Sequence, residues 1–152
     1  MKFETKNEFS RGSIAGAISA VVICLFVEVF EWLKIAKHCW LFIAGQAVMH
    51  FNHDLWQGSF ALLLHLGIGS LWGVVIAFML KMVKAEKYLV KGAVIGLAIF
   101  FLHFGLLAKG LHYPEPMRED PMTLFIIFTS YLIYGALTAW LIDKLPGKAD
   151  KV

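Results

Sequence analysis

Four apolar stretches, each long enough to cross a lipid bilayer, constrain this chain more than any other feature of its sequence. They cover residues 12–33, 59–80, 88–108 and 122–142. A membrane-spanning helix needs about 20 mostly apolar residues, and a helix satisfies its own backbone hydrogen bonds in lipid. The sequence therefore predicts an all-α integral membrane protein, in which residues 1–152 form a single membrane domain built as a four-transmembrane-helix bundle.

The amino-acid composition is also typical of a membrane protein. Hydrophobic residues make up 59% of the sequence and charged residues 16%, whereas about a quarter of the residues in a soluble domain are charged. The net charge of +3 comes from basic residues that flank the apolar stretches and form no basic stripe. We therefore expect the lipid bilayer, and no nucleic acid, as a partner.

The basic residues also predict the orientation of the chain, because cytoplasmic loops carry an excess of lysine and arginine. The N-terminal segment, the middle connection and the C-terminal tail hold Lys2, Lys6, Arg11, Lys81, Lys84, Lys87, Lys91, Lys144, Lys148 and Lys151. The other two connections hold Lys34, Lys37, Lys109 and Arg118. The sequence predicts a multi-pass protein of the cell membrane with both termini in the cytoplasm.

The long connection between the first two stretches contains a further apolar segment. Residues 40–49 are largely apolar but too few to cross a bilayer, which predicts a short interfacial or re-entrant helix. Asp54 ahead of the second stretch, and Asp120 with Pro121 ahead of the fourth, predict helix N-caps. No internal repeat is evident in the sequence.

Glycines recur at four-residue spacing in three of the predicted helices. They are Gly12, Gly16, Gly69, Gly73, Gly92 and Gly96. Small residues at this spacing let helix backbones approach closely in lipid, which predicts that these positions are sites of helix packing. A polar seam on the fourth helix should also face the bundle: Thr123, Ser130, Tyr134 and Thr138.

All six histidines fall on the outer side of this topology: His38, His50, His53, His65, His103 and His112. His65 shares a helix face with Gly69, and His103 shares one with Gly96, so both imidazoles are expected to point into the bundle. Counted from the middle connection, their depths differ by about 6 Å. Ionisable groups at membrane depth are costly and mark candidate functional sites.

This placement makes His65 and His103 candidate ligands of a transition metal or a haem, because neutral imidazole is the commonest metal ligand. Glu28, in the outer half of the first helix, is a further candidate, and His50 with His53 has the spacing of metal ligands. The alternative interpretation is structural. In that case the buried histidines bond to neighbouring polar groups, and the histidines of the long connection are solvated.

Several segments resemble small four-span bacterial membrane proteins of the YqhR-like group. The segments are RGSIAGAISAVV in the first stretch, LHLGIGSLWGVVIAFML in the second, YLVKGAVIGLAIFFLHF in the third and TSYLIYGALTAWLI in the fourth. The resemblance covers most of the chain and implies the same four-span architecture. It implies no catalytic residues.

Three functions are compatible with these features. The first is a small polytopic membrane protein that binds a metal or haem in the outer half of its bundle. The second is an accessory or scaffold subunit of a larger membrane complex. The third is a transporter or channel subunit, which with four helices would have to be a homo-oligomer. An enzyme is the least supported class, because the sequence has no H-E-x-x-H, P-loop or G-x-G-x-x-G motif.

Overall fold

A computed structural model describes residues 5–37, 55–83, 87–107 and 120–145 of the chain. Helix α1 is Thr5–Trp32, α2 is Leu55–Met82, α3 is Tyr88–Phe100 with a π-helix over Phe101–Leu107 directly after it, and α4 is Pro121–Lys144. The described residues contain no strand. They provide four helices long and apolar enough to cross a membrane, which confirms the predicted all-α fold with four spans. The apolar segment 40–49 lies outside the described residues.

The bundle has two ends that differ in their connections. At the turn end, α1 begins and α2 is followed after a few residues by α3. The loop end holds the last residues of α1 and of the π-helix and the first residues of α4. α1 starts at Thr5, well before the predicted start of the first span, because a helix continues readily through the polar residues that precede the apolar stretch. Glu8 and Arg11 support this extension by an ion pair of 3.7 Å.

The third helix changes its geometry part-way along. The sequence predicts one continuous span over residues 88–108, but the α-helix ends at Phe100 and the π-helix Phe101–Leu107 follows. A π-helix bonds each N–H to the carbonyl five residues earlier, so it is wider and turns the following side chains around the axis. The two segments together still form one apolar span over Tyr88–Leu106. Apolar composition predicts such a span but does not distinguish the two helical geometries. Turns of this kind are frequent at functional sites.

The helices associate as two pairs. α1 packs along α2, α3 packs along α4, and the pairs are joined mainly by α1 against α4. α2 touches α3 and α4 only lightly. Val27, Ile76 and Ile127 are fully buried between the helices. The bundle therefore has one loosely packed side, which lies between α2 and α3.

Glycines are the points at which the backbones of α1 and α2 meet. A Cβ atom added at Gly12 would lie 2.7 Å from the carbonyl oxygen of Gly73. One added at Gly16 would lie 2.8 Å from the Cα of Gly73, and one added at Gly69 would lie 3.2 Å from the carbonyl oxygen of Gly16. There is no room for a side chain at any of these positions, so the glycines set the separation of the pair.

Glycines are also the points at which the backbones of α3 and α4 meet. A Cβ atom at Gly92 would meet the Cβ of Ala139 at 2.5 Å and the backbone of Gly135, and one at Gly96 would lie 3.2 Å from the Cα of Gly135. The glycine spacing in the sequence did not single out Gly135, because its small neighbour one turn on is an alanine, Ala139.

The loop end of α4 is tied to the chain that follows α1. The Asp120 carboxylate accepts hydrogen bonds from the backbone N–H of Thr123 at 3.1 Å and from its hydroxyl, and Pro121 takes the first helical position, which confirms the predicted N-cap. The backbone N–H of Lys37 donates to the Thr123 hydroxyl at 2.9 Å, and its ammonium lies 3.5 Å from Asp120. The bond from the Thr123 hydroxyl is the main cause that lowers the pKa of Asp120. Asp54 lies outside the described residues.

We expect Gly12→Ala to destabilise the bundle, because the added methyl would overlap the backbone of α2 and force the helices apart. Overpacking of this kind costs about 1–3 kcal/mol. Gly67→Ala is the matched control: nothing lies within 4 Å of a Cβ at Gly67, and alanine favours a helix over glycine. Thermal unfolding in detergent, followed by circular dichroism, should give a lower Tm for Gly12→Ala only. Equal midpoints for the two variants would contradict this packing.

Candidate functional site

A chain of hydrogen bonds crosses the loosely packed side of the bundle. The indole N–H of Trp72 in α2 donates to Nε2 of His103 in the π-helix at 3.0 Å. Nδ1 of His103 lies 2.5 Å from the hydroxyl oxygen of Tyr131 in α4. Because an indole N–H only donates, Nε2 is the acceptor, and the proton of the neutral ring is assigned to Nδ1, which donates to Tyr131. Both ring nitrogens of His103 therefore have partners.

Aromatic rings surround this chain. The ring centres of Trp72 and His103 are 5.3 Å apart in an edge-to-face arrangement. Phe100 lies edge-to-face with Tyr131 at 5.6 Å and stacks on Phe104 at 5.1 Å. Such contacts orient the rings, and their apolar surroundings strengthen the hydrogen bonds that the rings make. The arrangement holds three polar side chains from three different elements in one place.

His65 belongs to a separate contact, between α2 and α1. Its side chain is 7% exposed, and its Nε2 lies 3.0 Å from the carbonyl oxygen of Ala20. A carbonyl oxygen only accepts, so Nε2 carries the proton and donates. The bond lies one helical turn beyond the contact of Gly16 with Gly69, and it extends the same helix interface towards the loop end.

Tyr134 links α4 to α2. Its hydroxyl donates to the carbonyl oxygen of Gly69 at 2.5 Å, and the side chain is buried. The other members of the predicted polar seam, Thr123, Ser130 and Thr138, are also buried, which confirms that this face of α4 points into the bundle.

The structure gives the two candidate ligand histidines different partners. His65 bonds to α1, whereas His103 bonds to α2 and α4. Within residues 5–37, 55–83, 87–107 and 120–145, no group of three or more His, Cys, Asp or Glu side chains is placed to hold a metal ion. Metal or haem binding by His65 and His103 stays a prediction.

The other predicted ligands are less fully placed. Glu28 is half-buried in α1, and its Oε1 atom is buried without a hydrogen-bond partner among the described residues. An unpartnered buried oxygen is costly in lipid, so Glu28 keeps its status as a candidate functional residue. His50 and His53 lie outside the described residues, as do His38 and His112.

No protein-family model, curated protein or solved structure matches this chain. The resemblance to the YqhR-like group therefore stays a prediction. The four apolar helices make the chain a small polytopic membrane protein.

Trp72 and Tyr131 were not singled out from the sequence. A tryptophan in a membrane protein is often found at the membrane interface, so the residue type alone does not indicate a place inside the bundle. Its position directly before Gly73, near the middle of the second span, is the signal that could have marked it as an interior residue. Tyr131 lies beside the predicted polar seam of α4 and has no spacing signal of its own.

We expect Tyr131→Phe to lower the free energy of unfolding by about 0.6–2 kcal/mol, the usual range for a hydrogen bond between membrane helices. The change leaves Nδ1–H of His103 without its acceptor and preserves the ring packing. Tyr88→Phe, the same change at the start of α3, is the control. Unfolding in mixed micelles measures the difference, and the same substitution in a His103→Phe background should cost clearly less. An equal cost in both backgrounds would rule out the bond.

Proposed function

We propose that this small polytopic membrane protein is a non-catalytic accessory or scaffold subunit of a larger membrane assembly. The observation that carries the proposal is the use of the polar side chains inside the bundle. His65, His103 and Tyr134 each bond to another helix. Catalytic groups converge instead on a place where a reacting atom can sit. Polar groups that join helices support a structural role.

The surface of the bundle is consistent with such a role. Large apolar side chains are exposed on every described helix, among them Leu25, Leu71, Phe101 and Phe125. In a bilayer this surface is covered by lipid or by helices of another subunit. We place the turn end in the cytoplasm, because the described basic residues concentrate there, as they do in the cytoplasmic segments of membrane proteins. These residues are Arg11, Lys81, Lys87, Lys91 and Lys144.

Photo-cross-linking in intact membranes tests the proposal. A benzophenone amino acid replaces Leu25 in α1, Leu71 in α2, Phe101 in the π-helix or Phe125 in α4, whose exposures of 61%, 63%, 61% and 64% are matched. We expect protein adducts from some positions and only lipid adducts from the others, because a partner covers part of the surface. Lipid adducts alone at all four positions would contradict a subunit role. Adducts between two copies only would favour the homo-oligomeric transporter or channel subunit.

A transition metal or haem in the outer half of the bundle is the second candidate. The buried imidazole of His65, the half-buried imidazole of His103 and the unpartnered Oε1 of Glu28 favour it. To bind a metal through Nε2, His103 would have to give up the hydrogen bond that it accepts from Trp72.

Metal analysis and a visible absorption spectrum of the detergent-purified protein decide between the two candidates. The His65→Ala/His103→Ala double variant is measured beside the wild type. If the histidines serve only to join helices, we expect neither stoichiometric metal nor a haem absorption band in either protein. Metal or haem that is present in the wild type and absent from the double variant would instead establish the cofactor site.

A further inference from the structure

The two helix pairs are built in the same way, although the sequence showed no repeat. Gly12 faces Gly73 and Ala77, and Gly92 faces Gly135 and Ala139 in the same manner. The next glycines along α1 and α3, Gly16 and Gly96, also make matching contacts. Gly16 meets the carbonyl of Gly69 and the Cα of Gly73, and Gly96 meets the carbonyl of Tyr131 and the Cα of Gly135. The four described helices therefore form an internal structural repeat, in which α1 corresponds to α3 and α2 to α4.

The pattern of burial repeats as well. Residues 11–22 and 91–102 have the same class, buried, half-buried or exposed, at every position. Few of the paired residues are identical, which explains why the sequence did not reveal the repeat. The equivalence then breaks. Ile23 and Cys24 are buried, but their counterparts His103 and Phe104 are half-buried.

The contacts between the pairs at the turn end are similar, although the two acceptor carbonyls are not at corresponding positions. The guanidinium of Arg11 in α1 donates to the carbonyl of Ile142 near the end of α4. Its counterpart Lys91 in α3 donates to the carbonyl of Val83, directly after α2, at 3.4 Å. Each first helix thus binds the end of the second helix of the other pair. By this rule, α3 should pack on α2 as closely as α1 packs on α4.

α3 does not pack on α2 as closely as α1 packs on α4, and the two interfaces differ at His103. α1 and α4 pack closely, whereas α3 and α2 touch only lightly. The π-helix that carries His103 begins within two residues of the point where the burial patterns diverge. The loose interface is therefore a local departure from the repeat, centred on this residue.

The aromatic residues that reach across the bundle explain the departure. Tyr134 in α4 donates directly to the carbonyl of Gly69 in α2. Its counterpart in α2 is Trp72, and the counterpart of Gly69 is Tyr131. Trp72 bonds to His103, and His103 bonds to the Tyr131 hydroxyl. Tyr134 and Gly69 are thus bonded directly, whereas the imidazole of His103 lies between their counterparts Trp72 and Tyr131.

We propose that Trp72 and His103 act as a wedge that keeps the α2–α3 interface open, and that this interface is the movable seam of the bundle. The corresponding α1–α4 interface, which has Ile23 and Tyr134 at these positions, is the fixed one. The seam opens laterally towards lipid, since α2 and α3 flank it with exposed apolar side chains such as Leu71 and Leu102.

Exchanging the wedge residues for their counterparts tests the proposal. In Trp72→Tyr/His103→Ile, α3 is expected to close on α2. Distances are measured by double electron–electron resonance in nanodiscs, after replacement of Cys24 and Cys39 by serine. Spin labels at Leu71 and Leu102 report on the seam, and labels at the counterpart positions Ile133 and Val22 report on the fixed interface in the same protein.

In the wild type, the seam pair should give a longer and broader distribution than the fixed pair. In the exchanged variant, the seam distance should shorten by about 2–5 Å, towards the spacing of closely packed helices, while the fixed pair stays unchanged. Equal wild-type distances, or an unchanged seam distance in the exchanged variant, would overturn the proposal.

The reverse exchange covers the case in which the first variant does not fold. Ile23→His/Tyr134→Trp introduces the wedge at the fixed interface. The distance between the labels at Ile133 and Val22 should then lengthen and broaden, and a folded variant with the wild-type distance would overturn the proposal. Tyr88→Phe, at the start of α3, controls for nonspecific effects.

Discussion

Close contact between glycine backbones is the interaction on which the rest of this structure depends. In lipid, an apolar side chain gains little by moving from acyl chains to a protein interior, so helices associate through close packing and polar bonds. Gly12 against Gly73, and Gly92 against Gly135, bring the backbones of each pair together. Once this register is set, the depth of every other side chain in the pair follows. His65 reaches Ala20, for example, because both lie one turn beyond the contact of Gly16 with Gly69.

The polar interior follows from the same constraint. A buried polar group in hydrocarbon needs a partner within the protein, because no water is present to supply one. The two described histidines meet this need differently. His65 bonds to a backbone carbonyl across a tight interface, whereas His103 joins side chains from two other helices across a loose one. The hydrogen bonds orient both imidazoles and join helices, which is compatible with a structural subunit.

The sequence predicts features that follow from composition and helical phase, and it misses those set by which residues of two helices meet. The four spans, the Asp120 cap and the inward direction of His65 follow from local composition and helical phase, and the structure agrees with them. The partner of His65 does not follow, because it is set by the offset between α1 and α2. The π-helix, the role of Trp72 and the repeat also depend on contacts across the bundle, where few residues are identical between its halves.

The asymmetry between the halves shows how much one polar residue can decide in lipid. An isoleucine at position 23 packs against its neighbours at no electrostatic cost, and its interface closes. An imidazole at the corresponding position 103 requires partners for two nitrogens, and Trp72 and Tyr131 provide them from opposite sides. Satisfying both bonds places the ring between α2 and α4. The wider geometry of the π-helix accommodates that position, and α3 can no longer follow the path that α1 takes. The same backbone contacts thus support one closed and one open interface, and a side-chain difference at mid-bundle selects between them.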